Sequence, residues 1–132
     1  MSLTPRPVPP DAPRVVIVDS DRRVQQSLAD LLGLTGKVAV VGRAGDVRAA
    51  LEEVERVHPD VVLVDPRLPD IEAGAALIAG MSRAWPSLRI VLTGFADTEG
   101  HASLGEEACY VSKGGSPEDF VSAIVEACGC ES

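Results

Sequence analysis

The stretch Val61-Val62-Leu63-Val64-Asp65-Pro66-Arg67-Leu68-Pro69-Asp70 decides the fold. Four apolar residues, three of them β-branched, run without alternation, as in a strand buried on both faces. The run stops at a carboxylate, and Pro66 and Pro69 prevent the strand from continuing. Val15-Val16-Ile17-Val18 repeats the pattern and stops at Asp19. Strands apolar on both faces belong to a parallel sheet covered by helices on each side.

The remaining segments fit that frame. After Asp19, Val24, Leu28, Leu31 and Leu32 fall on one helical face, with Gly33 and Gly36 at its end. Val38 to Val41 reads as a second strand ended by Gly42. Asp46 is the expected N-cap of a helix with Val47, Ala50, Leu51, Val54 and Val57 inward, stopped by Pro59. A third helix spans Glu72 to Ala84 and closes at Trp85-Pro86, with Trp85 expected to pack. Leu88 to Leu92 reads as a fourth strand followed by Thr93-Gly94, and Cys109 to Ser112 as a fifth followed by Lys113. Residues 97–107 fit a short helix weakened by Gly100 and Gly105, with His101 in solvent. Ser116-Pro117-Glu118-Asp119 opens a last helix whose buried face is Phe120, Ile124 and Val125, with Val121 beside it. Residues 1–13 are expected to be a disordered lead-in, 14–128 one domain and 129–132 a tail.

Composition bounds the function. The 132 residues suit a single domain, with 45% apolar but only 3% aromatic content, so the core is aliphatic. A net charge of −8 disfavours direct binding to a phosphate backbone. Cys109 reads as a small buried hydrophobe. Cys128 and Cys130 lack the further Cys or His residues that would complete a zinc site. The pattern suits a reducing cytoplasm, and no apolar run is long enough to span a membrane.

In a parallel sheet the carboxyl ends of the strands share one edge, and ligands bind there where strand order reverses. Asp19, Asp65, Thr93 and Lys113 sit at or just past four strand ends. In the order 2-1-3-4-5 the two carboxylates become neighbours. Carboxylate oxygens select a hard cation such as Mg²⁺. With a metal and a lysine to neutralise charge, a carboxylate can attack phosphorus.

At this point residues 14–127 resemble a bacterial two-component response-regulator receiver domain. The carriers are VVIVDSD, VVLVDPRLPD, IVLTG and YVSKGGSPEDF, the last most similar to receivers that precede a LuxR-type helix-turn-helix output domain. The resemblance implies a flavodoxin-like three-layer (βα)5 α/β fold with a parallel five-stranded sheet in the order 2-1-3-4-5. It implies that Asp65 accepts a phosphoryl group from a sensor histidine kinase in a phosphorelay. Asp19, Asp65 and the carbonyl of Arg67 would hold Mg²⁺. Thr93 and Lys113 would contact the phosphoryl group, and Tyr110 would switch with Thr93. The implied product is a changed protein-interaction face, with control of transcription as output. Enzyme activity is not expected beyond self-catalysed phosphorylation and dephosphorylation. A homodimer and a downstream output domain absent from this chain are compatible with the resemblance; a membrane partner is not expected.

Three features depart from the family pattern. Ser20 stands where a second acid is usual, which implies weaker Mg²⁺ binding. Gly114-Gly115 follows Lys113 in place of proline, and the segment between Thr93 and Lys113 is shortened. The alternative reading is therefore a receiver-fold interaction module with weak or no phosphorylation. A nucleotide-binding enzyme is disfavoured, because DSDRRV after the first strand has no glycine-rich phosphate cradle.

Overall fold

The computed structural model describes residues 12–65, 71–94, 109–112 and 117–129. Five strands form one parallel sheet in the order β2-β1-β3-β4-β5: β1 Arg14–Val18, β2 Ala39–Ala44, β3 Val61–Val64, β4 Arg89–Gly94 and β5 Cys109–Ser112. The helices among the described residues are α1 Arg22–Thr35, α2 Val47–Val57, α3 Ile71–Ala84 and α4 Pro117–Gly129. The short helix expected over residues 97–107, with His101, lies outside the described residues.

Strand alternation divides the core into two layers. Val16, Val18, Val62, Val64, Ile90 and Leu92 pack with Ala50 and Val54 of α2 and Leu77, Ile78 and Met81 of α3. Val15, Ile17, Val61, Leu63 and Val91 pack on the other face with Leu28 and Leu32 of α1 and Phe120, Val121 and Ile124 of α4. Both faces of β3 are thus covered, as its unbroken apolar run requires. Trp85 is half-buried and packs on the α2/α3 layer, as expected. Val125 and Leu51 are exposed, contrary to expectation. The sheet takes up Phe120 and Ile124, one turn apart, and leaves the adjacent Val125 at the rim.

The caps explain most boundaries. Asp21 caps α1 by accepting from the Arg23 amide at 2.8 Å, and Asp46 caps α2 by accepting from the Ala49 amide at 2.8 Å. Gly33 does not end α1. The helix runs on to Thr35, and Gly36 supplies the left-handed cap at φ 67°. Helix α2 ends through His58, which is left-handed at φ 50° just ahead of Pro59. Ahead of β1, Ala12 is buried and the Pro13 carbonyl accepts from the Ala39 amide at 2.8 Å, which ties this segment to β2.

Strand β2 does not stop at Gly42 but continues to Ala44. A register shift against Val15/Val16 marks a bulge at this point. A Cβ at Gly42 would lie 2.8 Å from Glu53 Cγ and 2.9 Å from Cδ, so glycine lets α2 lay Glu53 across the strand. Glu53 pairs with Arg56 at 2.8 Å. The Arg56 hydrogen bond, with help from the Arg43 amide, holds the Glu53 carboxyl below its ordinary value against the opposing effect of burial. A depressed folded pKa stabilises the fold above the unfolded value and loses that contribution as pH falls through the folded one. Gly42→Ala is expected to destabilise the protein by about 1 kcal/mol. Most of that loss should vanish in a Glu53→Ala background, as urea denaturation of the double-mutant cycle will read out.

Candidate functional site at the carboxyl edge of the sheet

The register fixes which residues meet at the carboxyl edge. Val18 pairs with Val64, and Val64 with Leu92. The next residues, Asp19, Asp65 and Thr93, therefore stand at one level on three adjacent strands. They also share a parity. Asp19 continues the series Val15, Ile17; Asp65 continues Val61, Leu63; and Thr93 follows Val91, all on the α1/α4 side. The order places β1 between β2 and β3, so Asp19 and Asp65 flank the point where the chain's winding reverses.

Backbone bonds hold this edge. The Asp65 amide donates to the Val18 carbonyl at 3.0 Å, and the Asp19 amide donates to the Ala44 carbonyl at 3.0 Å. Asp19 is 1% exposed, and its Oδ1 accepts from the Asp21 amide at 2.9 Å. That bond fixes the Asp19 rotamer and leads the chain into α1. Asp65 is half-buried, and Thr93 is 1% exposed. Ser20 is exposed. Asp21 spends one carboxylate oxygen on the helix cap.

Three of the sequence-derived site residues thus come together. Tyr110 lies in β5, where its register partner is Leu92, one step before Thr93. Arg67 and Lys113 lie outside the described residues. Among the described residues no group of three or more His, Cys, Asp or Glu is placed to hold a metal. Among the described residues, the carboxylates that the register brings to one level at this edge are those of Asp19 and Asp65, which suit a hard divalent cation that keeps several of its waters.

Gln25 has no place among the sequence-derived candidates. It is buried in α1, with its amide nitrogen 2.6 Å from the Asp19 carbonyl and 3.2 Å from that of Ala44. The available signal was its spacing: Gln25, Leu28 and Leu32 share one helical face, and a polar residue in such a row needs a buried partner.

Known proteins share this fold. Residues 15–125 match the family described as the response regulator receiver domain. The chain is 37% identical over 103 residues, 76% of its length, to the DNA-binding transcriptional activator DevR/DosR of Mycobacterium tuberculosis, and covers 47% of that protein. The signal receiver domain of the response regulator NarL from Mycobacterium tuberculosis superposes with a TM-score of 0.79 at 28% identity, covering 91% of this chain and 98% of that one. A LuxR-family two-component response regulator from Aurantimonas sp. SI85-9A1 shares the fold, with a TM-score of 0.79 at 22% identity over 91% of this chain and 87% of that one. The chain spans less than half the length of the curated relatives it matches. No helix among the described residues is long and apolar enough to cross a membrane. With a matched span that contains Asp19, Asp65 and Thr93, the chain belongs to the response regulator receiver domain family.

Proposed function

We propose that Asp65 accepts a phosphoryl group from a sensor histidine kinase and that the modified edge changes a protein-interaction face, with transcription as the output. The observation that carries this reading is the placement of Asp19, Asp65 and Thr93 at one level and one parity of the sheet edge. An Asp65 carboxylate oxygen forms the new O–P bond while the bond from phosphorus to the donor breaks, and the donor leaves with the electron pair. Asp19, Asp65 and the Arg67 carbonyl would hold Mg²⁺, which when bound neutralises charge on the transferring group. The Thr93 hydroxyl would donate to a phosphoryl oxygen, Lys113 would balance its charge, and Tyr110 would follow Thr93. The domain acts as a cytoplasmic signalling switch rather than a turnover enzyme. Incubation with acetyl phosphate and Mg²⁺ is expected to add one phosphoryl mass; no addition across a wide range of Mg²⁺ would defeat the reading.

The exposed Ser20 favours a second reading, an interaction module with weak or no phosphorylation. Partner binding unchanged by Asp65→Asn would support it. The same residue gives a graded test. Ser20→Asp adds a carboxylate beside Asp19 and is expected to lower the half-saturating Mg²⁺ concentration for labelling about tenfold, roughly 1.4 kcal/mol of binding. An unchanged Mg²⁺ requirement would show that position 20 does not face the cation.

A further inference from the structure

Gln25 joins three elements in one buried carboxamide. It is 8% exposed, and its amide nitrogen donates to the Asp19 carbonyl at 2.6 Å and to the Ala44 carbonyl at 3.2 Å. The Ala44 carbonyl also accepts from the Asp19 amide at 3.0 Å. The end of β1, the end of β2 and the second turn of α1 are thereby tied together. The turn at Gly45 is packed onto this clamp, because a Cβ there would lie 3.4 Å from the Gln25 amide nitrogen and 3.8 Å from the Asp19 carbonyl oxygen. Asp19 is consequently held from two sides. Gln25 fixes its main chain, and the Asp21 amide fixes its Oδ1 at 2.9 Å.

We infer that Gln25 is a positioning residue that sets the Asp19 carboxylate against Asp65 and so governs divalent-cation affinity at this edge. The inference rests on the proposal that these two carboxylates share a cation. A Mg²⁺ ion demands near-ideal octahedral geometry, so displacing one of its carboxylate ligands weakens its binding. Partners that orient metal ligands commonly change affinity by 10–100-fold when removed. Gln25 does so through the backbone of the ligand rather than through its carboxylate.

The test is a titration of the full chain with MgCl₂ alone, followed by the amide chemical shifts of Asp19 and Asp65, with hydrogen exchange measured in parallel. Gln25→Met keeps the length of the side chain and removes the donor. It is expected to raise the half-saturating Mg²⁺ about tenfold and to speed exchange of the Asp19 amide. Leu32→Ala, on the same helix and fully buried, controls for stability; it is expected to lower Tm and leave the Mg²⁺ midpoint unchanged. Should the methionine variant not fold, Gln25→Asn, one methylene short of the carbonyls, is judged by the same midpoint. A midpoint within twofold of wild type, an equal shift in Leu32→Ala, or no Mg²⁺-dependent shift at Asp19 in the wild type would each overturn the inference. Failure of acetyl phosphate to add mass while the midpoints separate as expected would remove the phosphoacceptor reading and leave the positioning role standing.

Discussion

Asp65→Asn is expected to abolish phosphoryl addition, with labelling by acetyl phosphate reduced at least about a hundredfold while the fold is retained. Asparagine preserves the volume of the side chain and one carbonyl oxygen, but it removes the anion that attacks phosphorus. It also takes one of the two described carboxylates from the proposed cation site. Removal of the nucleophile is not compensated by the rest of a catalytic constellation, so the loss should be nearly complete rather than partial. The fold should survive because the Asp65 backbone, not its side chain, continues the sheet: its amide donates to the Val18 carbonyl at 3.0 Å. Intact-protein mass spectrometry with circular dichroism on the same sample measures both halves of the expectation. An adduct of wild-type intensity in the folded variant would place the acceptor elsewhere.

The largest expected effect on stability is at Phe120. Its side chain is fully buried where α4 meets the sheet, in a layer with Val15, Ile17, Leu63 and Val91 and with Leu28 and Leu32 of α1. With aromatics at only 3% of the sequence, the surrounding aliphatic side chains cannot readily fill the space a lost ring leaves. Phe120→Ala is expected to destabilise the domain by about 3–5 kcal/mol, from lost transfer free energy plus the residual cavity. That is a large share of the stability of a small domain, for which ~5–15 kcal/mol is usual. The same helix covers the side of the sheet on which Asp19, Asp65 and Thr93 lie by parity. Urea denaturation would show a reduced midpoint with an unchanged slope if the loss is one of packing. A change below about 1 kcal/mol would contradict the account of this layer.

The sheet was legible because its determinants are local. Two β-branched runs ending in aspartate, the Asp46 cap and the Trp85-Pro86 stop each follow from a few adjacent residues. The parallel order then followed from strands apolar on both faces, and with it the meeting of Asp19, Asp65 and Thr93. The misreadings share one cause, dependence on distant partners. Gly42 looks like a terminator in sequence, yet it sits inside β2 because Glu53 from α2 needs the space. Val125 looks like a core residue, yet the sheet takes up Phe120, Val121 and Ile124 and leaves Val125 exposed. Gln25 drew no reading from the sequence, because the carbonyls of Asp19 and Ala44 that hold it, six and nineteen positions away, meet it only in the fold. Ser20 was legible as a departure. It is exposed beside a buried Asp19.

The central claim is that three strand ends act as one phosphoryl-accepting site. The most direct measurement is binding of beryllofluoride, a phosphoryl mimic, in the presence of Mg²⁺, observed through amide chemical shifts. The account predicts Mg²⁺-dependent shifts that begin at Asp65, include Asp19 and Thr93, and disappear in Asp65→Asn. Shifts that leave these three residues unmoved, or that persist in the Asp65→Asn protein, would contradict it.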